Sequence, residues 1–89
     1  MNQIMKSDNL IIDNSNSQKF MIKLIELLRN EKDVYSQALG RIGKVVGVNN
    51  NFVYIHNPVD SINMITTFIK GDKVGIFEED EIYYIKNLV

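Results

Sequence analysis

The residues able to do chemistry gather from Arg41 onward, in three small groups. Glu78-Glu79-Asp80-Glu81 is a run of four carboxylates, and carboxylate oxygens are what a hard cation such as calcium takes as ligands. The run lacks the Asp-x-Asp-x-Asp-Gly spacing that wraps a loop around an ion, so it reads better as a solvated hairpin tip. His56 stands close to Asp60 and Ser61 in sequence, but a Ser–His–Asp triad needs these groups to converge beside an oxyanion hole, and no nucleophile elbow is present. One histidine and no cysteine exclude thiolate metal sites and disulfides and argue against a histidine cluster within one chain. Gly71-Asp72-Lys73 lacks the flanking glycines and helix start of a phosphate loop. The third group is aromatic. Strand alternation puts Phe52, Tyr54 and His56 on one face, with Arg41 and Lys44 on the strand that would pair with it. Aromatics beside basic side chains stack the bases of single-stranded nucleic acid, so Arg41, Lys44, Phe52 and Tyr54 are a candidate nucleic-acid site. The plainer alternative is that Phe52 and Tyr54 pack beneath a helix or against another subunit. The expectation is no enzyme, no metal and no cofactor.

These residues need elements to hold them. Eighty-nine residues make one domain and bury only about 60% of the unfolded surface, which leaves the fold marginal alone. With cysteine absent, association with other subunits is the stabilising device that remains. Ile and Val supply 21 residues and Asn 11, a composition for strands joined by tight turns. The net charge of −1 predicts no strong attraction to a phosphate backbone. Residues 1–45 carry seven Lys/Arg against five Asp/Glu, and residues 46–89 three against six. The N-terminus has no apolar core of signal-peptide length, and no apolar run is long enough to span a bilayer. The expected place of synthesis is the cytoplasm.

In chain order, residues 1–16 read as a polar leader interrupted by Leu10-Ile11-Ile12, which either forms an extended arm on a sheet edge or a neighbour, or frays. Ser17 is the expected N-cap of an amphipathic helix over about 17–30, with Phe20, Met21, Leu24, Ile25, Leu27 and Leu28 at helical spacing. Val34, Tyr35 and Ala38 suggest a further helical turn near 33–38, or an irregular connector up to Gly40. The domain from residue 40 to 89 then reads as five strands: Arg41–Val48, Phe52–His56, Ile62–Ile69, Lys73–Phe77 and Ile82–Lys86. Asn49-Asn50-Asn51, Asn57-Pro58, Gly71-Asp72 and Glu78–Glu81 supply the turns. Five short strands behind one helix predict an α+β fold, a small five-stranded OB-like or SH3-like antiparallel β-barrel with an amphipathic N-terminal helix. The helix stripe covers that barrel, or docks on a partner.

The stretch Ile-Gly-Lys-Val-Val-Gly-Val, the turn Gly71-Asp72-Lys73-Val74 and the closing strand with Ile82 and Ile85 resemble the OB-like barrels of phage-tail baseplate and spike proteins. Nearest are the XkdR-like small proteins of contractile phage tails and phage-tail-like bacteriocins. The resemblance covers half to three-quarters of the chain and rests on motifs of weak specificity. It implies a non-enzymatic structural subunit at the spike or hub on the tube axis, made in the cytoplasm and assembled into a tail-like particle. It implies a homo-oligomer, a trimer by preference, beside other baseplate and hub proteins. The His-x-His pair of iron-bearing spike tips is absent, so no metal is carried over. On this reading Phe20, Leu24, Ile25, Leu28, Phe52 and Tyr54 are packing and interface surface.

Overall fold

A computed structural model of the chain describes residues 9–49, 52–57, 62–67 and 73–88, the third of these by backbone alone. The elements are β1 (Leu10–Asp13), α1 (Ser17–Arg29), β2 (Asp33–Ser36), β3 (Arg41–Val48), β4 (Phe52–Asn57), β5 (Ile62–Thr67), β6 (Val74–Glu79) and β7 (Ile82–Asn87). The expected turns at Asn50-Asn51, Pro58 and Gly71-Asp72, and the positions of Asp60 and Ser61, lie outside the described residues.

The strands form one seven-stranded sheet in the order β1-β6-β7-β2-β3-β4-β5. This corrects the expected five-stranded barrel: the sheet is open, ending on β1 and β5, with the helix laid over one face. Two short strands make the difference. The Leu10–Ile12 arm becomes β1 and extends the sheet beyond β6. Residues 33–36, expected as helix or connector, form β2, which inserts between β7 and β3, parallel to the former and antiparallel to the latter. The chain therefore falls into a meander, β2-β3-β4-β5, and a group of three, β1-β6-β7, joined along the β2–β7 seam.

The end of α1 explains why the helix does not run on into β2. Asn30 caps it and Glu31 takes φ 51°. The Glu31 amide donates to the Leu28 carbonyl and the Lys32 amide to the Leu27 carbonyl, at 3.3 and 3.1 Å. This is a Schellman ending, usually built on glycine. At the other end the cap is Asn16, one residue earlier than Ser17: its side-chain oxygen accepts from the Lys19 amide at 3.1 Å. Phe20, Leu24 and Leu27 of α1 are buried with Val34, Val45, Val53, Ile55, Val74, Ile76 and Ile85 of the sheet in one core. Fully burying an aliphatic side chain of this size stabilises by about 1.5–3 kcal/mol.

Polar side chains finish what the ladders leave open. Asn14 mimics a strand residue against Val74, its amide donating to the Val74 carbonyl and its side-chain oxygen accepting from the Val74 amide. Gln37 extends the β2–β7 seam: its amide donates to the Ile85 carbonyl and its side-chain oxygen accepts from the Asn87 amide. The buried Asn57 donates to the Ile42 carbonyl at 2.7 Å.

Candidate interaction surface

One face of the sheet is roofed by α1. The other carries a row that no single stretch of sequence contains. The strand registers place Leu10 opposite Phe77, Phe77 opposite Tyr84, Tyr84 opposite Tyr35, and Tyr35 opposite Ile42. Strand alternation turns this row away from the helix, because Ile76, Ile85 and Val34, each one residue along, belong to the core beneath α1. Crossing five strands at the usual spacing, the row is about 19 Å long.

The row is packed, and none of the described elements covers it. Tyr35 and Tyr84 meet with ring centroids 5.7 Å apart at a tilt of 51°. Gly75 lies two residues before Phe77, and a Cβ placed there would meet Leu10, Leu88 and Phe77 side-chain carbons at 3.0–3.1 Å, so these three side chains converge over it. Leu10 and Ile42, at the two ends, remain 38% and 43% exposed, and Phe77, Tyr84 and Tyr35 are half-buried. The Lys86 ammonium lies 5.4 Å from the Phe77 ring centre and 5.1 Å from that of Tyr84, with its charge over the aromatic faces.

Charge is divided across the row. On one side stand Glu79 and Asp33 with Lys44, and beyond them the exposed Asp80 and Glu81 of the hairpin tip. On the other side stand Lys86, Gln37 and Asp13, with exposed Lys73 just beyond. The first flank is acidic; the second is weakly basic. Among these groups Asp13 titrates below its ordinary value, because the Ser15 hydroxyl and then the Ser15 amide donate to its carboxylate.

The residues singled out from sequence sit as follows. Phe20 and Leu24 lie inside the chain's own core, Leu28 packs against it, and Ile25 is half-buried. Phe52 and Tyr54 share the uncovered face and touch edge to face at 6.2 Å, with the Tyr54 ring lying over Gly47. Lys44 is on this face too, but its ammonium binds the Asp33 carboxylate at 2.6 Å and the Glu31 carbonyl at 3.1 Å. Arg41 is opposite Ser36 and alternates to the helix side. The four candidate nucleic-acid residues are thus split between faces, and Lys44 is balanced by a carboxylate. Glu78–Glu81 forms the β6–β7 hairpin, with Asp80 and Glu81 at φ 54° and 67°; no metal-holding cluster occurs among the described residues. None of the described helices is long and apolar enough to cross a membrane.

Sequence reasoning found the Phe52–Tyr54 corner and missed the longer row. The signals present were the alternation Val34-Tyr35-Ser36, read there as a helical turn or an irregular connector, and Phe77 and Tyr84 in strands whose partners were unknown. Comparison with known protein families, with curated proteins and with solved structures finds no match to this chain. The fold and surface define a two-layer α+β domain with one roofed and one uncovered sheet face.

Proposed function

We propose that this chain is a non-enzymatic interaction subunit that works by being held against other protein surfaces through the uncovered sheet face. The observation that carries the reading is the row Leu10, Phe77, Tyr84, Tyr35 and Ile42. A sheet packed on one face ordinarily turns polar residues to water on the other, whereas this mixed sheet turns aromatic and aliphatic residues outward across five strands. Contiguous apolar patches of that kind mark protein contact sites, and tyrosine is enriched in them because it brings a large contact area at little entropic cost.

A place in a contractile-tail baseplate or hub is one form of this reading. It draws on the resemblance carried by Gly71-Asp72-Lys73-Val74, Ile82 and Ile85. It loses the support that a closed barrel would have lent. Binding of single-stranded nucleic acid has less in its favour, with Lys44 neutralised by Asp33 and Arg41 on the other face.

The test is the native mass of the protein in an extract of its source cells, for wild type and for Tyr84→Lys, with the melting curve of each purified chain as a folding control. Wild type is expected in a species heavier than one chain, and the variant, still folded, in a lighter one. A wild-type protein that runs as a free single chain in the extract sinks the reading.

A further inference from the structure

We infer that the occupant of the uncovered sheet face is a second copy of this chain, packed face to face about a twofold axis that runs along the Leu10–Ile42 row. This rests on the reading above and specifies the partner. The argument is one of charge and symmetry. The row is flanked on one side by Glu79 and the Asp33–Lys44 pair, with Asp80 and Glu81 beyond, and on the other by Lys86 and Asp13, with Lys73 beyond. Two identical faces can be stacked with the twofold axis in their common plane in two principal ways. An axis across the row sets like flanks together, acidic on acidic. An axis along the row exchanges the flanks. Glu79 and Gly75 lie equally far from Phe77 along β6, so Glu79 of one copy then comes over Gly75 of the other, between Lys86 and Asp13, and the Asp80–Glu81 tip comes towards Lys73. The acidic flank of each copy thus faces the weakly basic flank of the other, and the apolar row lies on itself.

A stable protein contact removes about 800 Å² from each partner, about an eighth of the 6143 Å² that this chain exposes. The row crosses five of the seven strands of that face. Stacked sheets sit about 10 Å apart with interdigitating side chains, a separation that Tyr35, Tyr84 and Phe77 are long enough to fill. An isologous contact closes at two copies, so the trimer expected from the resemblance to tail proteins would need a different surface.

The experiment is sedimentation of the full chain, up to about 1 mM, for wild type, Glu79→Lys, Lys86→Glu, the double reversal and Tyr84→Lys, each checked for its melting temperature. The two charged residues lie at the surface, so their reversal leaves the core intact. Wild type is expected to dimerise reversibly. Each single reversal places like charges together at both symmetric positions and is expected to weaken dimerisation roughly tenfold, and the double reversal to restore it to within about threefold. Tyr84→Lys is expected to abolish it. A wild-type monomer throughout the range overturns the inference, as does a dimer that Tyr84→Lys leaves unchanged. Single reversals without effect, or a double reversal that rescues nothing, overturn the axis along the row. A purified monomer that still runs as a heavy complex in source extract overturns the homodimer and leaves the broader reading standing.

Discussion

At the scale of single residues, Glu31 and Glu81 occupy backbone positions that suit glycine. Glu31 closes the Schellman ending of α1 at φ 51°, and Glu81 is the second central residue of the β6–β7 hairpin at φ 67°. A side chain in this left-handed region crowds its own carbonyl, at a cost of about 1–2 kcal/mol, part of which glycine returns as entropy lost on folding. Glu31→Gly and Glu81→Gly should therefore each stabilise the fold by about 0.5–1 kcal/mol, read as a higher urea midpoint; an unchanged or lower midpoint refutes the strain. Gly43 is the reverse case. A Cβ there would stand 2.5 Å from the His56 carbonyl oxygen and 2.7 Å from Ile55 Cγ2. The first neighbour is backbone, which cannot rotate away, so Gly43→Ala should cost about 2–3 kcal/mol and forces β3 and β4 apart. A third residue-scale effect is pH-dependent. Asp13 has a folded pKa below its ordinary value, held there by Ser15. Over the range between the two values the unfolded chain binds the extra proton, so the stability this adds is complete above the ordinary carboxylate range and is lost as pH falls through the folded value. Ser15→Ala should lower stability at pH 7, and its gap from wild type should narrow by pH 2. Urea melts at both pH values decide, and a gap that is constant with pH would mean that Ser15 acts without the Asp13 charge.

At the scale of elements, Asn16 is the cap that sets where α1 starts. The Asn16 side chain satisfies an amide of the first turn, at Lys19, and no acidic residue stands in that turn to help. Asn16→Ala should cost about 1 kcal/mol, while Ser17→Ala should cost less, since Ser17 lies inside the helix; equal losses would return the cap to Ser17. The helix and the five strands β3 to β7 were legible in the sequence because each carries its own periodicity and its own turn chemistry. β2 was not. After Leu28, Val34, Tyr35 and Ala38 continue a helical stripe, and the residue that stops the helix is a glutamate, with no glycine to announce it. β2 pairs with β3 across the short turn 37–40 and with β7 about fifty residues further on, and the second pairing is a loop closure that no local window reveals. The site divides along the same line. Phe52 and Tyr54 could be seen because they alternate within one strand. The row Leu10, Phe77, Tyr84, Tyr35 and Ile42 draws one residue from each of five strands, and it exists only once the strand order is known.

At the scale of the whole molecule, the strand order divides the sheet into parts with different loop-closure costs. β2-β3-β4-β5 is a meander in which every pairing joins neighbours in the chain. β7 reaches β2 only after about fifty residues have been looped out, and β1 reaches β6 across a still longer stretch, so these pairings take on more closure entropy before contacts repay it. The meander is expected to form first and the β2–β7 seam late. Matched substitutions can show this, because Ile55 in β4 and Ile85 in β7 are both buried in the same core. Ile→Val at either position should cost about 0.5–1.5 kcal/mol. If the meander is the folding nucleus, Ile55→Val slows folding, whereas Ile85→Val leaves the folding rate nearly unchanged and speeds unfolding. Stopped-flow folding and unfolding in urea measures both limbs. The opposite assignment, with Ile85→Val carrying its whole effect on the folding limb, would mean that the seam organises the sheet and that the meander condenses onto it. The order also matters for association. The row spans β1, β6, β7, β2 and β3, so it is complete only after the seam has closed, and a chain with only the meander formed presents Tyr35 and Ile42 without Tyr84 and Phe77. Refolding at rising protein concentration should therefore leave the main folding rate constant and speed only a later, second-order phase. A main phase that itself accelerates with concentration would show that copies meet before the seam is made.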